Sequence, residues 1–166
     1  MKMASYLILL LIGLSACSNV HLNPVFPETT QSGQKIFVCK VNGKEWIPTK
    51  GNAINGLSIG CYKGSFYIHA QRVEKNTTTQ YIYLRKANTR TEGSYSFHNS
   101  ETDQANYTYL ENSCNYRRQA IENGHLTITR LDTINGIVSG RFDFIVKQKN
   151  CPDIEVTDGY FDYTYR

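Results

Sequence analysis

The chain has 166 residues, with 18 Lys and Arg against 14 Asp and Glu and a formal net charge of +4. That length suits one domain. A mild, scattered excess of base lacks the clustered footprint of a nucleic-acid-binding face, so no nucleic-acid partner is expected.

The chain opens with Lys2 and then an apolar run from Tyr6 to Leu14. A spanning helix needs about 20 apolar residues, whereas the core of a secretory signal needs about 7–15. The run ends in Leu14-Ser15-Ala16-Cys17, which resembles the lipobox of bacterial lipoproteins. The resemblance implies a signal peptide over 1–16, cut before Cys17, whose thiol takes the lipid as a nucleophile. Several acyl chains would then hold the chain to a lipid bilayer. The alternative is a plain signal with a cysteine nearby by chance. Residues 17–34 carry Pro24, Pro27 and many small polar residues without a period, and read as a flexible tether. A β-rich globular domain over 35–166 follows.

Strand patterns fill that domain. Phe66, Ile68 and Ala70 alternate with Tyr67, His69 and Gln71. Leu126 and Ile128 alternate with Thr127 and Thr129, and Val138, Phe142, Phe144 and Val146 alternate with polar residues. Alternation at period two marks half-buried antiparallel strands. Turn chemistry divides them at Asn42-Gly43, Asn55-Gly56, Lys63-Gly64, Asn123-Gly124, Asn135-Gly136 and Asp158-Gly159. The one short helix candidate is Cys114–Glu122. The expected fold is all-β, a single antiparallel sandwich or barrel of about eight to ten strands.

Three stretches carry a resemblance. Phe37-Val38-Cys39-Lys40-Val41-Asn42-Gly43-Lys44-Glu45-Trp46-Ile47-Pro48 resembles the opening box of a family of small uncharacterised Bacteroidota lipoproteins. Leu126–Asp132 with Ile137–Phe144 is similar to that family's paired strands, and Asp158-Gly159-Tyr160-Phe161-Asp162 to its terminal box. The resemblance covers most of 37–163 and implies a lipid-anchored, β-rich cell-envelope domain with no assigned activity and no catalytic residues to carry over. Surface-displayed lipoproteins of that group carry acids just after the lipidated cysteine. Here the first acid is Glu28, and Ser18 replaces the aspartate that can retain lipoproteins in the inner membrane. An outer-membrane protein facing the periplasm is therefore expected. Asp132-Thr133-Ile134 also resembles the O-glycosylation site of exported Bacteroidota proteins, making Thr133 a candidate at the tip of a hairpin turn, although Asp132 and Thr133 also suit bonding the turn backbone.

Read physically, Trp46 plugs one end of the core. The segments at 140–144 and 159–163 echo one another and suggest neighbouring antiparallel strands, with Asp143 and Asp162 on one solvent-facing stripe. Two carboxylates there could serve acid–base work on a glycan, but solvated strand-face charges explain them as well. His21, His69, His98 and His125 are far apart and no zinc-protease or Cys-x-x-Cys spacing occurs. No metal or cofactor is expected.

Four cysteines besides Cys17 remain, an even count that favours disulfides in an oxidising compartment. Pairing Cys39–Cys61 and Cys114–Cys151 closes the two shorter loops, with zinc ligation as the competing use. Tyr81 and Tyr83 share one strand face, and Phe161, Tyr163 and Tyr165 share another. Exposed rows of aromatics stack on sugar rings or anchor a protein, while tyrosines also bridge core and solvent in any small β-domain. The expected function is a non-catalytic binding or structural lipoprotein with a glycan or envelope-protein ligand. The alternative is a periplasmic hydrolase or hydrolase inhibitor.

Overall fold

The computed structural model describes residues 30–49, 56–73, 79–97, 102–109, 114, 116 and 121–165. Among these residues ten strands run in chain order: β1 Gln34–Val41, β2 Lys44–Trp46, β3 Leu57–Tyr62, β4 Ser65–Val73, β5 Thr79–Lys86, β6 Gly93–Ser96, β7 Gln104–Tyr109, β8 Ile121–Asp132, β9 Ile137–Val146 and β10 Ile154–Thr164. They form two antiparallel sheets, β2-β1-β10-β9-β8-β6 and β3-β4-β5-β7. The fold is a sandwich, and the barrel alternative is set aside because the two sheets do not join into one closed sheet. No described residue is helical; of the expected short helix Cys114–Glu122, residues 115 and 117–120 lie outside the described residues, and Ile121 and Glu122 begin β8.

The alternating apolar residues face one another between the sheets. Phe66, Ile68, Ala70, Ile82 and Leu84 come from the four-stranded sheet, and Leu126, Val138, Phe144, Val146 and Phe161 from the six-stranded one. Rings interlock across the gap, Phe66 against Phe161 at 5.2 Å, while Phe37 stacks on Phe142 at 5.3 Å within the larger sheet. Burying each large apolar side chain is worth about 1.5–3 kcal/mol. Trp46 closes one end of this core as expected. It is 2% exposed, and its Nε1 donates to Gln80 Oε1 at 2.7 Å, so the buried indole N–H is satisfied.

Turn chemistry delivers the β1–β2 hairpin at Asn42-Gly43 and the β3–β4 hairpin at Lys63-Gly64, each with two left-handed residues in succession. Thr133–Gly136 turns between β8 and β9. Two of the expected turns are not turns. Asn123-Gly124 lies inside β8, where Gly124 packs under Phe97 and Phe144. Asp158-Gly159 is a bulge inside β10, with Asp158 at φ +52° and the register shifted between Val156 and Gly159. A bulge needs the same left-handed residue as a tight turn, so local chemistry cannot separate the two. Asn55 lies outside the described residues.

Cys114 and Cys151 form the expected disulfide, with Cα atoms 5.7 Å apart, tying the approach to β8 to the β9–β10 connection. Tyr116 beside it donates its hydroxyl to Pro152 O at 2.5 Å. The expected Cys39–Cys61 bridge is corrected: both thiols are free. Cys39 pairs with Trp46, which bonds Gln80 at the start of β5. Cys61 pairs with Phe66, which pairs with Lys86 at the other end of β5. At about 3.4 Å per residue those positions lie roughly 20 Å apart along the strand, whereas a disulfide needs Cα atoms within about 7 Å. The two cysteines face the same core from opposite ends of the sandwich.

Candidate ligand-binding face

Among the described residues, the strands of the four-stranded sheet contain no Asp or Glu. Acidic strand residues sit in the other sheet: Glu45, Glu122, Asp132, Asp143, Glu155, Asp158 and Asp162. Alternation turns Ile68, Ile82 and Leu84 inward, which sets Tyr67, His69, Tyr81, Tyr83 and Arg85 on the outer face of β4 and β5. His69 stands directly across from Tyr83 and diagonal to Tyr81. Its ring stacks on Tyr81 at 5.7 Å and 22°, and meets Tyr83 edge-on at 6.5 Å and 63°. The expected pair Tyr81 and Tyr83 is thus part of a three-ring cluster.

On the neighbouring strand Tyr67 lies against Gly60, its cross-strand partner. A Cβ at residue 60 would sit 2.9 Å from Tyr67 Oη and 3.0 Å from Cζ, so only glycine lets that ring settle onto the sheet. Tyr62, at the end of the same edge strand, is 65% exposed with Lys63 Nζ 5.3 Å from its ring centre. Gln71 stands opposite Tyr81 on one side and Asn106 opposite Tyr83 on the other. The face therefore combines aromatic surface, amide groups that donate and accept, and positive charge from Arg85. The two tyrosines of β5 are legible from the sequence as a shared face; Tyr67 and His69 join them, and the signal for both lies in their alternation with Phe66 and Ile68.

The opposite sheet is built differently. Asp162 is fully buried, so the solvent-facing stripe expected for it with Asp143 is corrected. It pairs with Ser139, four residues from Asp143 along β9, and the two carboxylates do not converge. Instead Asp162 gathers five donors. Gly33 N at 2.8 Å and Ser139 Oγ at 2.7 Å bond Oδ1, and Thr30 Oγ1 at 3.0 Å, Ser32 N at 3.1 Å and Gln34 N at 3.2 Å bond Oδ2. Burial pushes its pKa up, but the Ser139 hydroxyl and the N–H groups of Gly33, Gln34 and Ser32 outweigh it and hold the carboxyl below the usual range. Tyr160 OH donates to Thr30 O, and Arg130 Nη1 to Gln31 O. Residues 30–33, expected to belong to the free tether, are strapped across the outer face of β8, β9 and β10. Gly33 is required there: it sits at φ +78°, and a Cβ would lie 2.1 Å from Thr164 Oγ1.

The other expected site residues fall as follows. Tyr163 and Tyr165 pack against the core as half-buried residues, and Tyr163 OH donates to Leu57 O at 3.3 Å. They are not an exposed row, because Phe161 on the same strand face points into the sandwich. His125 Nδ1 lies 3.1 Å from Asp143 Oδ1, both about half exposed on a strand face. Thr133 is exposed at the β8–β9 turn. Beside it, Asp132 Oδ1 accepts from Ile134 N and Asn135 N, and Asn135 with Arg130 holds its carboxyl well below the usual carboxylate range. Among the described residues no three His, Cys, Asp or Glu side chains group to hold a metal. Cys17 lies outside the described residues, and no helix among them is long and apolar enough to cross a membrane.

Fold and faces define an antiparallel β-sandwich with one tyrosine-bearing sheet, whose described strands carry no acid, and one sheet strapped by the segment at 30–33. The chain belongs to the family described as a domain of unknown function, DUF6252, whose model matches residues 37–163. No curated protein and no solved structure matches the chain.

Proposed function

We propose that the protein is a lipid-anchored cell-envelope domain of Bacteroidota type, not a catalyst, that binds a saccharide chain on the outer face of its four-stranded sheet. The observation that carries this reading is the ring cluster of His69, Tyr81 and Tyr83, with Tyr67 on the same face, on a sheet whose described strands hold no carboxylate. Aromatic faces stack on the C–H surfaces of sugars, Gln71 and Asn106 match hydroxyl groups, and Arg85 accommodates an acidic sugar substituent. The Leu14-Ser15-Ala16-Cys17 pattern supports acylation of Cys17 and insertion into a bilayer. The absence of an acid between Cys17 and Glu28 supports the periplasmic side of the outer membrane.

A second reading, a periplasmic hydrolase, rests on the His125–Asp143 contact. That pair lies half exposed on an open strand face, where a general base lacks the shielding that tunes catalytic groups. The test is co-sedimentation with peptidoglycan and with soluble envelope polysaccharides, comparing wild type with Tyr81→Ala/Tyr83→Ala. Losing central aromatic anchors weakens binding at least about tenfold. Retention of one of these glycans by the wild type, lost in the double variant, is the expected result. Equal retention by both proteins removes this face from the function.

A further inference from the structure

A cleft of about 320 Å³ opens between the two sheets where β1 and β10 approach the start of β3. That volume is at the lower end for small-molecule sites. Phe37, Leu57, Ile47, Pro48 and Tyr163 supply its apolar and aromatic lining, beside Thr49 and Gly56. Ile47 is 45% exposed although large and apolar. Among the described residues, the one charged side chain on the lining is Lys35.

The backbone places Lys35 at the cleft by an unusual route. The β1–β10 register slips between Gln34 and Ile36, so Lys35 is the extra residue of a bulge. It sits at φ +61°, a conformation that residues other than glycine, asparagine and aspartate rarely adopt. Such strain persists only where the surroundings over-determine it. Here the Asp162 carboxylate does so, binding the backbone N–H of Ser32, Gly33 and Gln34, the three residues just before Lys35. A buried anion thus holds a strained bulge that turns a lysine onto a cleft of mixed polar and apolar lining, where no carboxylate among the described residues lines the wall to pair with it.

We propose that this cleft binds a small apolar carboxylate, a hydrocarbon or aromatic acid, with its body against Phe37, Leu57, Ile47 and Pro48 and its carboxylate on Lys35 Nζ. The site is separate from the aromatic face of the four-stranded sheet. Trp46, the sole tryptophan, reports on it, because its ring meets Phe37 edge-on at 6.0 Å. The experiment titrates the full chain with phenylacetate, 2-phenylethanol and phenethylamine while following Trp46 fluorescence. Phenylacetate gives a saturable change at a concentration at least about tenfold below the other two, the scale of one charge-assisted contact. Lys35→Gln removes the preference for the acid, Lys35→Glu turns it toward the amine, and Tyr81→Ala/Tyr83→Ala leaves it intact. Thermal unfolding of each variant confirms that it is folded. Equal responses to the three ligands, no saturable response to phenylacetate, or a preference that survives Lys35→Gln in the folded protein overturns the proposal.

Discussion

Replacing Asp162 by Asn changes one atom at the point where the N-terminal strap meets the sheet. The amide oxygen can keep the bonds from Gly33 N and Ser139 Oγ now made to Oδ1. The new NH₂ group then faces Ser32 N, Gln34 N and Thr30 Oγ1, the donors to Oδ2. The Thr30 hydroxyl can reverse and accept, but the two backbone N–H groups cannot. Each lost bond to a charged acceptor costs about 1.5–3 kcal/mol, so the pair sets a ceiling near about 6 kcal/mol. Release of the strap to water limits the actual loss, and about 3 kcal/mol is expected, roughly a 10 °C fall in Tm for a domain of this size. Denaturant unfolding at pH 7 measures it, and amide exchange at Ser32–Gln34 identifies the strap as the part released. The pH dependence follows from the depressed pKa of Asp162 in the folded state. Its contribution is complete above the unfolded value of about 4 and is lost as pH falls through the lower folded value. The stability gap between wild type and Asp162→Asn therefore narrows below about pH 4. An unchanged midpoint at pH 7, or a gap that widens in acid, refutes the carboxylate clamp.

Lys35→Gly, which relieves the strained φ at the bulge, raises stability by about 1 kcal/mol while removing the cation from the cleft; a lower Tm would show that the bulge is not strained. Cys114→Ser/Cys151→Ser opens a loop of sequence separation 37 and costs about 4 kcal/mol by chain entropy, read from the denaturant midpoint. Thiol titration finds Cys39 and Cys61 unreactive in the native protein, because burial raises both pKa values, that of Cys61 to about 11; both react in denaturant without reductant. Comparing intact masses of the native protein and Thr133→Ala tests whether the exposed Thr133 hydroxyl carries a glycan: a difference larger than the substitution is expected, and its absence leaves Thr133 a turn residue.

Period-two alternation made the sandwich legible, because a residue's neighbours two places away already determine which side of a strand it occupies. Phe66, Ile68 and Ala70 needed no other information, and Asn42-Gly43 and Lys63-Gly64 announced their hairpins through backbone conformations that few residues tolerate. Long-range partners were not legible. Asp162 reads as a polar strand residue until the strap, about 130 positions away, covers it. Cys39 and Cys61 each read as a strand cysteine, and nothing local says that they stand at opposite ends of the sandwich. Tyr163 and Tyr165 share the face of Phe161, but only the packed sheets establish that this face is the inner one. Lys35 gave no signal, since its bulge arises from the bonds that Asp162 makes to its neighbours.

Whether the outer face of the four-stranded sheet binds the ligand is read by mapping backbone amide shifts while titrating the protein with a glycan that it retains. The largest shifts are expected at Tyr67, His69, Tyr81, Tyr83 and Asn106, with those at Thr127, Arg141 and Asp143 unmoved. Shifts centred on the strapped sheet, or none at saturating glycan, would contradict that expectation.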